Sequence, residues 1–283
     1  MAKRKRTQNI NELIEDGRGI GVGKDYKPWI KIQDVASTGR ATRIKGIKTG
    51  RQHELLSDKE RDFFYYLEFS DKVIDIREQY PLLPIEETMD IALELGIKHP
   101  THPKTGEPIV MTSDFLITLN NNNEYIDIVR TIKSKDDLLN RRIVEKFEIE
   151  RKYWGRKEID FGIVTEKEID KQIAHNISFV HGYKKLEDID SFILISSLEI
   201  KDLVYEFLRR IIDDKRSMRE ISSEFDVEML LKKGSGLSIF RYLVINKIID
   251  IDIKKKIDVN ENIFINEIRE QKIKRMDEVI WYQ

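Results

Sequence analysis

Glu60, Asp114 and Lys133 are the residue types that phosphodiester cleavage needs, and they stand in three separate segments of the chain. Cutting a phosphodiester calls for a divalent cation that neutralises the scissile phosphate and makes water a better nucleophile, so at least two hard oxygen ligands must converge. Asp114 sits where the β-rich run from Val110 to Leu119 pauses at the polar pair Ser113-Asp114, which makes it the expected central ligand. Lys133 closes the run that starts at Ile126. Alternation along that strand sends Thr131 and Lys133 to one face and Ile132 into the core, leaving the Ile132 carbonyl and the Thr131 hydroxyl as further oxygen donors. Lys133 would orient the nucleophile or stabilise the developing phosphorane. Glu60 arrives from an earlier helix as the second carboxylate, directly or through a water. The competing reading is plain: in a chain that is 36% charged, an aspartate followed at a distance by x-Lys recurs by chance. Asp114 then caps a turn and Lys133 is a solvated strand-end charge.

The elements around these residues decide between the two. Ser57-Asp58-Lys59-Glu60 followed by Phe63, Phe64, Leu67 and Phe69 reads as a capped helix, with Glu60 in the position of the capping-box acid. Glu60 can serve the cap alone, or the cap and a cation together. Val73 to Tyr80 alternates like a strand ending at Pro81, with Glu78 a reserve acid or the partner of Arg77 in a surface charge pair. Glu86 to Leu95 reads as a helix closed by Gly96, and Asn120 to Asn123 as a turn that folds the Asp114 and Lys133 strands into a hairpin. Leu138 to Tyr153 carries an apolar stripe of Leu139, Ile143, Phe147 and Tyr153 or Trp154, with Gly155 as its stop. On its polar face Glu150 is an accessory acid or the i, i+4 partner of Lys146. His99 and His102 are separated like zinc ligands, but Pro100 and Pro103 favour a structured loop from which His99 reaches a phosphate.

Several stretches together carry a resemblance: Gly17 to Trp29, Leu56 to Glu60, Asp75 to Leu82, Gly96 to Pro100, Met111 to Phe115 and Glu145 to Trp154. In collinear order they resemble the TnsA endonuclease subunit of heteromeric cut-and-paste transposases, over most of residues 10 to 165. The resemblance implies a restriction-endonuclease-like α/β fold, a mixed sheet flanked by helices, with Glu60, Asp114 and Lys133 as catalytic set and Mg2+ as cofactor. It also implies cleavage of the 5′ ends of a transposon, with a TnsB-like recombinase for the 3′ ends and a TnsC-like ATP-dependent regulator as partners. One departure is Thr131, which stands where a family member carries glutamine two residues before the lysine.

Length and charge set the outer bounds. A chain of 283 residues accommodates two modest domains, expected as 1–168 and 169–283. It has no cysteine, which excludes disulfides and thiolate metal sites and fits a reducing cytoplasm. No apolar run approaches the roughly 20 residues that span a bilayer, so no membrane role is expected. The net charge is −1 yet unevenly spread: residues 1 to 56 hold thirteen Lys/Arg against six Asp/Glu, or +7, leaving −8 for the rest. That asymmetry suits an arm lying on a phosphate backbone through Arg18, Lys24, Lys27, Arg40, Arg43, Lys45, Lys48 and Arg51, and the resemblance implies that the backbone is double-stranded DNA at transposon ends. Lys3 to Arg6 reads as a solvated tail in a disordered stretch 1–9. The glycines from 17 to 23 lack the Gly-Lys-Ser/Thr ending of a nucleotide-binding loop.

Beyond residue 169 the texture changes to helices, expected at Lys171 to His181, Ile189 to Ile212, Ser217 to Phe225 and Ser235 to Asn246. Strands Ile249 to Ile253 and Asn262 to Ile265 follow, separated by Lys254-Lys255-Lys256. Helices followed by a hairpin suggest a winged-helix-like C-terminal domain for the regulator and for DNA. Two rivals stay open: a stand-alone restriction-like or junction-resolving nuclease, and a catalytically dead DNA-binding or scaffold subunit.

Overall fold

A computed structural model describes residues 10–35, 40–212, 214–269 and 271–272, so the readings made for residues 1–9 lie outside the described residues. The chain divides into two compact units between Ile169 and Asp170.

In the first unit a short helix α1 (Ile10–Glu15) leads through a glycine-rich loop to a hairpin of β1 (Thr42–Lys45) and β2 (Gln52–Leu55). Helix α2 (Asp58–Phe69) starts where the Ser57 side chain accepts the Glu60 amide, and buries Phe64 and Leu67. Strand β3 (Val73–Pro81) and helix α3 (Ile85–Glu94) follow, the helix closing on Gly96 at φ +64. Strands β4 (Thr112–Asn121) and β5 (Glu124–Ile132) form a hairpin whose turn puts Asn122 and Asn123 at φ +54 and +72, the pair of left-handed residues that a type I′ turn requires.

Helix α4 (Arg141–Arg156) is capped by Asn140, whose side chain accepts the Arg142 amide. Two expectations fail at its ends. Leu139 precedes the cap and is 84% exposed, so the buried stripe is Phe147, Ile149, Tyr153 and Trp154. Gly155 lies inside the last turn, and Glu158 at φ +57 is the left-handed residue beyond the end. The helix then feeds β6 (Asp160–Val164), which lies parallel to β5, as a helical crossover allows.

The sheet order is β3-β4-β5-β6, antiparallel except for the last pair. One face packs Phe64, Leu67, Ile76, Phe115, Ile117 and Ile132 into a core with Leu55 of β2. The other packs Leu82, Ile91, Leu116, Val129, Ile149 and Trp154 from α3, α4 and the strands. A mixed central sheet flanked by helices is thus the observed architecture, and no helix among the described residues is long and apolar enough to cross a membrane.

The second unit holds α5 (Lys171–His181), α6 (Ser197–Ile211), α7 (Met218–Glu228), α8 (Ser235–Ile245) and an antiparallel pair, β7 (Ile249–Ile251) with β8 (Ile265–Ile268). Helix α6 begins eight residues later than the apolar pattern alone suggests, because the capping box Ser196 to Glu199 fixes its start. Strand β8 lies three residues beyond its expected start. Buried Asn176 ties down the chain between the two strands: its amide group donates to the Ile253 and Lys255 carbonyls and its oxygen accepts the Ile257 amide.

Candidate active site

The three residues singled out by type come together at one end of the sheet. Asp114 lies near the start of β4 and Lys133 just past the end of β5, because the hairpin pairs Phe115 with Arg130. Asp114 Oδ2 accepts the Ile132 amide at 2.7 Å and lies 3.9 Å from Lys133 Nζ. The Ile132 side chain is in the core, as alternation requires. Glu60 comes from the first turn of α2, where Oε2 accepts the Leu56 amide at 2.9 Å and Oε1 the Ser57 hydroxyl at 3.0 Å. The capping role and the placement beside Asp114 therefore coexist. Burial, reinforced by the negative charge of Asp114, pushes the Glu60 carboxyl up to about 7. The same Asp114 charge, against the opposing effect of burial, raises Lys133 and keeps it an ammonium.

A fourth group shares this space. Gln79 of β3 places its amide nitrogen 3.4 Å from Glu60 Oε2 and 3.5 Å from Asp114 Oδ1, while its oxygen accepts the Thr112 hydroxyl at 3.2 Å. Its backbone is left-handed, φ +49, inside a strand. That reversal breaks the ordinary alternation: Tyr80 packs with the α4 side of the sheet, whereas Glu78, two residues earlier, bonds to β2 on the other side. Such a conformation in a buried non-glycine costs on the order of 1–3 kcal/mol and concentrates at functional sites. Behind Asp114, Glu150 of α4 accepts the hydroxyls of Ser113 at 2.5 Å and Thr131 at 2.6 Å. Its burial raises the carboxyl to about 7. Glu150 thus faces inward, not onto Lys146, and Thr131 directs its hydroxyl to Glu150.

Residues 70–166 match the TnsA-like endonuclease N-terminal family, and residues 168–253 match the TnsA endonuclease C-terminal family. The Transposon Tn7 transposition protein TnsA of Escherichia coli is 36% identical over 252 residues, covering 89% of this chain and 88% of its own length. The chain belongs to the TnsA endonuclease family. Nuclease chemistry is therefore the frame for the cluster.

In this TnsA-family chain Glu78 does not make a surface pair with Arg77. It is fully buried and receives Arg51 at 2.7 and 2.5 Å and the Glu54 amide at 3.0 Å, with His53 Nδ1 at 2.8 Å. Burial alone would raise its carboxyl, but the charges and hydrogen bonds of His53 and Arg51 outweigh it and hold the group down at about 2. Gly46 lies against the His53 ring, where a Cβ would come within 2.6 Å. This network fastens the β1–β2 hairpin to the strand that carries Gln79.

The basic residues divide. Arg51 lies in that network, and Arg18, 6% exposed, bonds to Asp16, Asp34 and the Trp29 carbonyl. Both are internal struts. Lys24, Lys27, Arg40, Arg43 and Lys45 are exposed, Arg43 with Glu54 and Gln33 as partners, and Lys48 is half-buried. His99 has one ring nitrogen on Thr88 and the other on the Pro100 carbonyl, so its hydrogen bonds stay within the loop and α3.

The donor set fits a hard divalent cation. Two carboxylates are crowded together out of water, with a single ammonium at 3.9 Å, and an added dication relieves that repulsion. Among the described residues no three Asp, Glu, His or Cys side chains are placed to hold a metal ion together. Gln79 leaves no signal in the sequence, since only the pairing of β3 with β4 brings it to Asp114.

Proposed function

We propose that this chain is a Mg2+-dependent endonuclease subunit that cleaves the 5′ ends of a transposon during cut-and-paste transposition. The observation that carries the reading is the placement of buried Glu60 and Asp114 against each other with Lys133 beside them. Glu60 and Asp114 would hold the cation, with the Ile132 carbonyl as a further oxygen; Thr131 contributes by fixing Glu150. When bound, Mg2+ supplies charge neutralisation at the scissile phosphate and activation of water. Lys133 stays protonated and stabilises charge on the phosphorane oxygens. The Ile132 amide fixes the Asp114 rotamer, and the α2 cap fixes that of Glu60.

The N-terminal unit has the restriction-endonuclease-like arrangement, with Lys24, Arg40, Arg43, Lys45 and Lys48 directed to duplex DNA at the transposon ends. The second unit, read as winged-helix-like, serves a TnsC-like regulator and DNA through Lys254 to Lys256, while a TnsB-like recombinase processes the 3′ ends. This work takes place on cytoplasmic DNA. The test uses transposon-end duplexes, Mg2+ and the purified chain with and without its recombinase. Wild type should nick the 5′ strands only with the recombinase, and Asp114→Ala and Lys133→Ala should lose nicking while keeping their thermal transitions. Nicking by either variant at the wild-type rate overturns the assignment. Cleavage without any partner favours a stand-alone nuclease, and no cleavage in any setting a scaffold.

A further inference from the structure

Gln79 is buried, 3% exposed, and its carboxamide faces both acids of the candidate site. At 3.4 and 3.5 Å its nitrogen is far from the best distance for an N–H donor to either oxygen. Shared between two oxygens at long range, the amide only partly offsets the repulsion of Glu60 and Asp114. The backbone bears a second mark: φ +49 in a strand is a glycine's conformation, and here it is occupied by a long polar side chain. A carboxamide has a property that neither a carboxylate nor an ammonium shares. Turned over, it exchanges two donors for an acceptor of the same shape. At its far end Thr112 is a hydroxyl, which donates to the amide oxygen as now, or accepts from the amide nitrogen after the turn.

We propose that Gln79 is a cation ligand of this site, an inference that rests on the cation-dependent reading above. Without the cation its NH2 faces the two carboxylates. With the cation bound, the amide turns and presents Oε1 as a further hard oxygen beside Glu60, Asp114 and the Ile132 carbonyl, while Thr112 reverses its hydrogen bond. The site thus exchanges a weak internal donor for the ion, and both states satisfy the buried amide.

The test is Mn2+ binding to the full chain without DNA, followed by titration calorimetry and by loss of the free-ion electron paramagnetic resonance signal. Wild type should bind saturably and Asp114→Ala should not. Gln79→Gly keeps the left-handed backbone without strain and removes the two methylenes with the carboxamide, so relief of the backbone strain offsets the lost packing and its melting temperature should stay close to that of wild type. Its Mn2+ affinity should fall roughly 10- to 100-fold, the range seen when a metal's supporting group is removed. Gln79→Glu, which keeps an acceptor oxygen, should recover it. Wild-type affinity in Gln79→Gly, or affinity in Gln79→Glu as weak as in Gln79→Gly, overturns the inference alone. Absence of saturable binding in the wild type instead overturns the cation-dependent reading, and the inference with it.

Discussion

Replacing Glu78 by glutamine should destabilise the first unit by about 3 kcal/mol or more, because a buried ion pair is broken from one side. The count of donors explains why an isosteric change is so costly. Each carboxylate oxygen of Glu78 faces two nitrogens, Arg51 and the Glu54 amide at one, Arg51 and His53 at the other. A glutamine has a single acceptor oxygen, so whichever way it turns, its NH2 confronts one of those nitrogen pairs, and Arg51 is left in a buried place without its counter-charge. At about 2–4 °C per kcal/mol for a unit of this size, the melting transition should drop by roughly 6 °C or more. Urea unfolding followed by the fluorescence of Trp29 and Trp154, both buried in the first unit, reads it directly. The pH dependence adds a signature. The Glu78 carboxyl is held at about 2, below its unfolded value of about 4.5, so its contribution is complete above pH 4.5 and fades as the pH falls towards 2. The gap between wild type and variant should therefore narrow on acidification below pH 4.5. A loss under about 1 kcal/mol at pH 7, or a gap that widens towards pH 3, would refute the reasoning.

Four further outcomes follow from the same geometry. Asp114→Asn should abolish nicking yet match or exceed wild type in urea unfolding, since it relieves the repulsion with Glu60 while an oxygen remains for the Ile132 amide. Because Glu60 titrates near 7, Mg2+ competes with a proton there, so the rise in melting temperature on adding Mg2+ should be larger at pH 8 than at pH 5 and vanish with chelator. Glu150 also titrates near 7, above its unfolded value, so its contribution is present below pH 4.5 and lost as pH rises through 7; Glu150→Gln should unfold at higher urea than wild type at pH 8 and lose that decline. Arg43→Ala and Lys45→Ala should each reduce the slope of log affinity for DNA against log salt by about one, with little effect on stability, whereas Arg18→Ala should chiefly lower stability.

What the sequence disclosed was mostly local. Ser57 to Glu60 announces its helix because the cap and the acid are three residues apart, and the asparagine run announces its turn because left-handed backbone suits asparagine. Asp114 and Lys133 follow from that turn, since a hairpin brings both to one end. Gln79 and Glu78 were illegible for the converse reason. Their roles depend on β3 lying beside β4 and on residues 46 to 55 folding back over β3, and neither pairing leaves a periodic trace. Arg18 and Arg51 read as surface charge because type alone does not reveal that a guanidinium has carboxylate partners deep in the fold. Glu150 misled through spacing: Lys146 lies one turn away, but the helix turns that face towards Ser113 and Thr131.

The buried amide of Asn176 has a consequence for the lysines that follow β7. It grips the backbone on both sides of Lys254 from a helix nearly eighty residues upstream, so that stretch is moulded before anything touches it. The backbone of Lys254 to Lys256 is thus ordered from outside the segment, while Lys255 and Lys256 pair their charges with Asp252 and Asp258 close by. Loosening that grip would leave the charge of the segment intact and remove its shape.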